Sequence, residues 1–267
     1  MSQSPSSDDP QTSQRDVIES ADVLTGKSVD GEPVVAVGAH SGLWFTHIVP
    51  RWAADLEALE LASYPTADPA DLYDRESLNA LANDFPQGCF AGFDSSDNHR
   101  LVAMGLGLRT PFDLSEPQHT IDDIVSHDPA RSGDDPKGLW YYGTGISVHL
   151  DYRRRGIGRE LYALRKSVCG KLKLKGIVAG GVMPGYAEHR DTMSADDYIS
   201  RVVAGDLYDP TLTFQQDNGF VLGPALEGYI TDPAVNDYAA LIVWHNPGWR
   251  SPPDPSSPDG APGKENA

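Results

Sequence analysis

The stretch that decides the fold runs from Ile146 to Lys175, ISVHLDYRRRGIGRELYALRKSVCGKLKLK. An apolar strand ends, the chain turns through Arg153, Arg154, Arg155, Gly156, Ile157 and Gly158, and a helix begins. Between Arg153 and Lys175 stand nine of the chain's 21 lysines and arginines, against one acid, Glu160. That segment carries +8 in a chain of net charge −18, which leaves −26 elsewhere. Glycines at such a turn let backbone amides approach a ligand closely. The unpaired N–H groups of the helix start, with the helix dipole behind them, favour an anion there. Arginines add charge-assisted contacts. The combination reads as a cradle for phosphate or pyrophosphate. A merely solvated charged turn would account for neither the glycine spacing nor the flanking elements.

Working outward, Ile157, Leu161, Leu164, Val168 and Leu172 form a stripe at three and four spacing that faces a sheet. Arg159, Lys166, Lys171 and Lys173 point away from it. Residues 139–150 read as the preceding strand. Alternation puts Trp140, Tyr142, Thr144, Ile146 and Val148 on one face and Leu139, Tyr141, Gly143, Gly145, Ser147 and His149 on the other. Residues 176–183 read as a buried strand. Upstream lie β-rich runs at 34–38 and 43–49, helices at 53–62 and 71–83, and a hairpin of 89–93 with 101–110. Residues 111–137 form a long polar insertion with a short helix near 121–125. Downstream come a helix at 194–203 capped by Ser194, a short helix from Asp209 that Gly219 ends, and strands at 220–222, 226–230 and 238–244. This order predicts an α+β fold, a mixed sheet with helices on its faces.

At 267 residues, 39% hydrophobic, the chain is long enough for one sizeable core. The domain is expected over 34–247, between a disordered lead at 1–30 and a disordered Pro/Ser-rich tail at 248–267. No run approaches the ~20 apolar residues of a membrane helix. The N-terminus lacks the pattern of a secretory signal. Cys89 and Cys169 suggest packing rather than a disulfide framework. These features predict a cytoplasmic protein with no membrane partner, and the acidity opposes nucleic acid. His119 and His127 lack a third ligand at suitable spacing, so no metal site is expected.

The run Val148-His-Leu-Asp-Tyr-Arg-Arg-Arg-Gly-Ile-Gly158 resembles the acetyl-coenzyme A signature of the GNAT superfamily of N-acetyltransferases, Arg/Gln-x-x-Gly-x-Gly/Ala. Phe214-Gln-Gln-Asp-Asn-Gly-Phe220 is similar to the family's second landmark. The resemblance covers roughly 34–246 and points to a larger, mostly uncharacterised subgroup. It implies a mostly antiparallel sheet whose fourth and fifth strands splay apart, with helices on both faces. It implies acetyl-CoA as co-substrate, held along Ile146, Ser147 and Val148 and at Arg153, Arg154, Arg155, Gly156, Ile157, Gly158 and Arg159. It implies direct transfer of the acetyl group to a primary amine of a small molecule or peptide, with the Val148 N–H as oxyanion donor. The tyrosine that often serves as general acid is replaced here by Gln215. His149, Tyr208 and Tyr186 are the side chains weighed for proton transfer. An inactive acyl-CoA-binding relative and a nucleic-acid module are the alternatives, and a homodimer is left open.

Overall fold

The structure, a computed structural model, describes residues 26–126 and 131–251. Most of the two expected disordered ends, and His127, lie outside the described residues. The expected lead ends earlier than residue 30. Strands β1 (Ser28–Val29) and β2 (Glu32–Pro33) form a small hairpin with Val29 buried.

The main sheet has eight strands: β3 (Ala36–Val37), β4 (Trp44–His47), β5 (Phe90–Asp94), β6 (Arg100–Thr110), β7 (Trp140–Val148), β8 (Gly176–Val182), β9 (Val221–Leu226) and β10 (Ala239–His245). Their order is β3-β4-β5-β6-β7-β8-β10-β9. Every neighbouring pair is antiparallel except β7 with β8, which is parallel. That pair is joined through the glycine turn and helix, as a parallel crossover requires. The expected strand at 226–230 is absent. Residues 221–226 form one strand, and the chain turns at Glu227 and Gly228.

Helices α1 (Ala53–Ser63) and α2 (Arg75–Asp84) cover one face, burying Leu56, Leu59, Leu78 and Leu81. Helices α3 (Ile157–Leu172), α4 (Ala195–Ala204) and α5 (Leu212–Asp217) cover the other. Local signals set their ends. Asp74 and Ser194 accept from the N–H of Ser77 and Asp197, and Gly205 closes α4 in the left-handed conformation. In α3 the stripe holds through Val168, but Leu172 is exposed at the end of the helix. Lys166 folds back instead of pointing outward. It donates to Asn218 O at 2.6 Å, over the Trp244 ring.

The insertion packs on the sheet. Ile121 is buried and donates to Tyr229 O, and Arg109 pairs with Asp134. Residues 121–125 make a turn and not a helix. His119 is half-buried here. Its Nδ1 meets Pro117 O, so it carries the proton, and Nε2 accepts from Tyr142 Oη at 2.6 Å. Burial lowers its pKa, which keeps the ring neutral.

Glu160, the one acid of the cationic segment, is buried in the first turn of α3. It accepts from the N–H of His40 and Ser41, both at 3.0 Å, and from Ser41 Oγ. This pins the loop at 38–43, whose His40 stands behind Gly156. Glu160→Ala strips three donors of their acceptor and should cost about 1–3 kcal/mol in urea unfolding. A loss below ~0.5 kcal/mol would mean that water replaces the carboxylate there.

Candidate active site

The site begins where β7 and β8 part. They pair only from Trp140 to Tyr142 against Gly176 to Val178. Beyond Tyr142 on β7 and Val178 on β8, the two strands diverge and leave a wedge between them. The cause is visible in the other neighbour of β7. Leu106 pairs with Gly145 and Gly107 with Gly143, so Thr144 is an extra residue, a β-bulge. A bulge bends its strand and reverses which face each later side chain takes. Trp140 and Tyr142 pack in the core under α1 and α2, while Ile146 and Val148 pack against the core under α3. Simple alternation had put all four on one face. The bulge corrects this, turning Gly145 and Ser147 toward α1.

The free edge of β7 is ready for a ligand. His149 N–H donates to Val102 O on β6 at 2.8 Å. By antiparallel alternation, the N–H groups of Ile146 and Val148 then point the other way, into the wedge. Their carbonyls already have partners. Tyr64 Oη donates to Ile146 O at 3.0 Å and Arg153 Nε to Val148 O at 3.2 Å.

The glycine turn lies at the far end of that edge. Gly156 sits at φ 83° and caps α3 without a side-chain acceptor for the first-turn amides. Only glycine takes that conformation cheaply. A Cβ at Gly158 would approach the Phe214 ring to 2.9 Å. Arg153, Arg154, Arg155 and Arg159 are exposed, and none forms an ion pair among the described residues. Arg155 stacks on Tyr152 and donates to Asp151 O. The cationic turn is therefore open to an incoming anion.

Inside the wedge is a cavity of about 220 Å³. Its walls include Glu60 from α1, Thr144 and Ile146 from β7, Tyr162 and Arg165 from α3, and Gln215 from α5. Glu60 is buried and accepts from Ser147 Oγ at 2.7 Å. Burial pushes its carboxyl up to about 7, against the lowering effect of the Ser147 bond. It can therefore take or give a proton near neutral pH. Tyr162 lies beside Gln215, and burial raises the pKa of its hydroxyl. Six buried side-chain atoms lack a hydrogen-bond partner among the described residues. Four belong to this cavity: Tyr73 Oη, Thr144 Oγ1, Arg165 Nε and Gln215 Oε1. Tyr73 and Thr144 lie close enough to interact with each other, as do Gln215 with Tyr162 and Arg165 with Tyr141, so these groups are loosely held and not wholly unpaired.

Several residues named from sequence fall elsewhere. His149 lies at the end of β7, with Nδ1 capping the Asp151 N–H and Nε2 on Arg100. It thereby caps the short turn at Leu150–Tyr152. Tyr186 is buried with its hydroxyl on Met193 O, and Tyr208 is exposed over a separate surface depression. None of the three lines the cavity. Nor does Val148, which lies toward the glycine turn, whereas Ile146 does line it. Sequence reading missed Glu60, Tyr162 and Arg165. Glu60 and Arg165 are charges on the buried faces of their helices, the one signal that marks them. Cys89 and Cys169 are both buried and free.

Comparison with known proteins agrees with this geometry. No protein-family model matches the chain. The probable hydrolase YhcX of Bacillus subtilis (strain 168) is 34% identical over 190 residues, 70% of this chain and 36% of that protein. The chain thus spans only about a third of that relative's length. The uncharacterized N-acetyltransferase YkwB of the same organism is 26% identical over 192 residues, 72% of this chain and 83% of that protein. Among solved structures, the loading GNATL domain of CurA from Lyngbya majuscula superposes with a TM-score of 0.63 at 19% identity, covering 76% of this chain and 96% of that one. The GphF GNAT-like decarboxylase in complex with isobutyryl-CoA gives a TM-score of 0.61 at 18% identity, covering 76% and 98%. In fold, with its own sheet parted beside a glycine turn, the chain is similar to these GNAT-like structures.

Proposed function

We propose that the chain is an acyl-CoA-dependent acyltransferase, moving an acetyl group from acetyl-CoA to a primary amine of a small molecule or peptide. The observation that carries this reading is the wedge. A free strand edge offers two amides, a cationic glycine turn lies at one end, and a carboxyl of pKa about 7 lies at the other. Pantetheine fits such an edge as a further strand would. The amides of 154–159 and the unpaired arginines suit the pyrophosphate. YkwB is named an N-acetyltransferase, and GphF is a GNAT-like decarboxylase seen with isobutyryl-CoA. Both names are in keeping with acyl-CoA chemistry. The hydrolase name of YhcX belongs to a protein of which this chain matches 36%.

In this mechanism the amine nitrogen attacks the thioester carbon, and Glu60 takes the proton that the amine loses. The N–H of Ile146, at the cavity wall, holds the developing oxyanion, and that of Val148 holds pantetheine. This assignment follows the cavity and moves the oxyanion role one residue pair inward. The carbon–sulfur bond then breaks, and the departing thiolate receives a proton from Tyr162. Tyr162 thus stands in for the tyrosine that Gln215 replaces. No helix among the described residues is long and apolar enough to cross a membrane. The substrates are taken to be water-soluble and the protein cytoplasmic.

Two measurements test the reading. In the pH profile of kcat/KM an inflection near 7 is expected. Glu60→Gln should remove it and lower the rate about 10²–10³-fold, while Ser147→Ala moves it upward. The raised pKa also has a stability sign. The folded state holds this proton more tightly than the unfolded chain, so the Glu60 contribution is full below pH 4.5 and lost as pH rises through about 7. Unfolding midpoints of wild type and Glu60→Gln should diverge across that window, and parallel curves would show an ordinary carboxyl. In the second measurement, replacing Arg154 and Arg159 together with alanine should weaken acetyl-CoA binding about 10–100-fold. It should do so without lowering Tm and should erase the preference for acetyl-CoA over phosphate-free acetyl-pantetheine. Unchanged affinity would remove the phosphates from this turn.

A further inference from the structure

The cleft contains a cation that the reaction above does not use. Arg165, on α3, is 3% exposed and lines the cavity. Its Nη2 donates to Leu106 O on β6 and Gly145 O on β7, the paired residues next to the bulge. Nε is buried without a hydrogen bond of good geometry, the Tyr141 hydroxyl being close enough to the guanidinium to interact with it. Nη1 lies 2.9 Å from where a Cβ at Gly143 would stand, so that glycine keeps the space beside it open. No carboxylate pairs with Arg165 among the described residues.

Arg109 makes the contrast. It is also largely buried, and Asp134 accepts from its Nε at 3.0 Å and from its Nη2 at 2.5 Å. The fold supplies a counter-ion for Arg109 and none for Arg165. A buried guanidinium left without one is costly. The rings of Tyr141 and Tyr162, at 5.6 and 5.9 Å, soften that cost without neutralising the charge. Glu60 is not the missing partner, since no ion pair joins it to Arg165 and its hydrogen bond goes to Ser147. Bracing the bulge occupies one of the three guanidinium nitrogens.

We infer that Arg165 receives a carboxylate of the substrate, so that this cleft takes an acyl group or an amine acceptor bearing a second, anionic function. The inference rests on the acyl-transfer reading and adds the class of substrate to it. The carboxylate can belong to either reactant, and two arms separate the sources. In the first, calorimetric affinities of malonyl-CoA and succinyl-CoA are compared with those of acetyl-CoA and butyryl-CoA. In the second, amino acids and their amides compete as acceptors with acetyl-CoA as donor.

Wild type should prefer the carboxylate-bearing member about tenfold or more in one arm. Arg165→Gln should bring that ratio below about twofold while neutral substrates lose far less. The wild-type ratios decide the matter even if the variant does not fold. Acetyl-CoA bound with no carboxylate preference in either arm overturns this inference alone and leaves Arg165 as a brace for the bulge. No affinity for any of the four thioesters overturns the acyl-transfer reading, and this inference with it.

Discussion

One extra residue in one strand governs this molecule. Thr144 has no partner on β6, and from that point β7 bends away from β8. A continuous ladder would have satisfied the amides of Ile146 and Val148 within the sheet. The bulge leaves them facing a wedge, and it turns Ser147 toward Glu60 on one side while Arg165 holds Gly145 O of β7 and Leu106 O of β6 from the other. The opening is thus a property of backbone register, which neighbouring side chains hold in place.

The fold was largely legible because its signals are local. The stripe of Ile157, Leu161, Leu164 and Val168, the caps at Asp74 and Ser194, and the glycines at the turn each act within a few residues. The mixed, mostly antiparallel sheet with one parted pair of strands followed from the sequence of elements and the resemblance carried by Arg153 to Gly158. The bulge was not legible. Strict alternation over 139–150 is the natural reading of that strand, and an insertion of one residue is seen only against the partner strand. The reversed faces of Ile146 and Val148 follow from it.

The cationic glycine turn was read from sequence, whereas the lining of the cavity was not. A cationic turn with two glycines stands out in an acidic chain. Glu60 and Arg165 come from helices on opposite faces of the sheet and meet β7 only after folding. The residues chosen by proximity in sequence, His149, Tyr186 and Tyr208, are occupied or placed elsewhere. The two buried charges also differ in treatment. Burial raises the carboxyl of Glu60 toward its neutral form against the opposing Ser147 hydrogen bond, while the guanidinium of Arg165 has no carboxylate partner among the described residues.

Amide hydrogen exchange by NMR, with and without acetyl-CoA, tests the central claim most directly. In the free protein the amide of His149, bonded to β6, should exchange slowly, and those of Ile146 and Val148 should exchange fast. On adding acetyl-CoA, Ile146, Val148 and the amides of 154–159 should become protected together. Slow exchange at Ile146 and Val148 in the free protein, or protection appearing away from β7 and the glycine turn, would contradict the account.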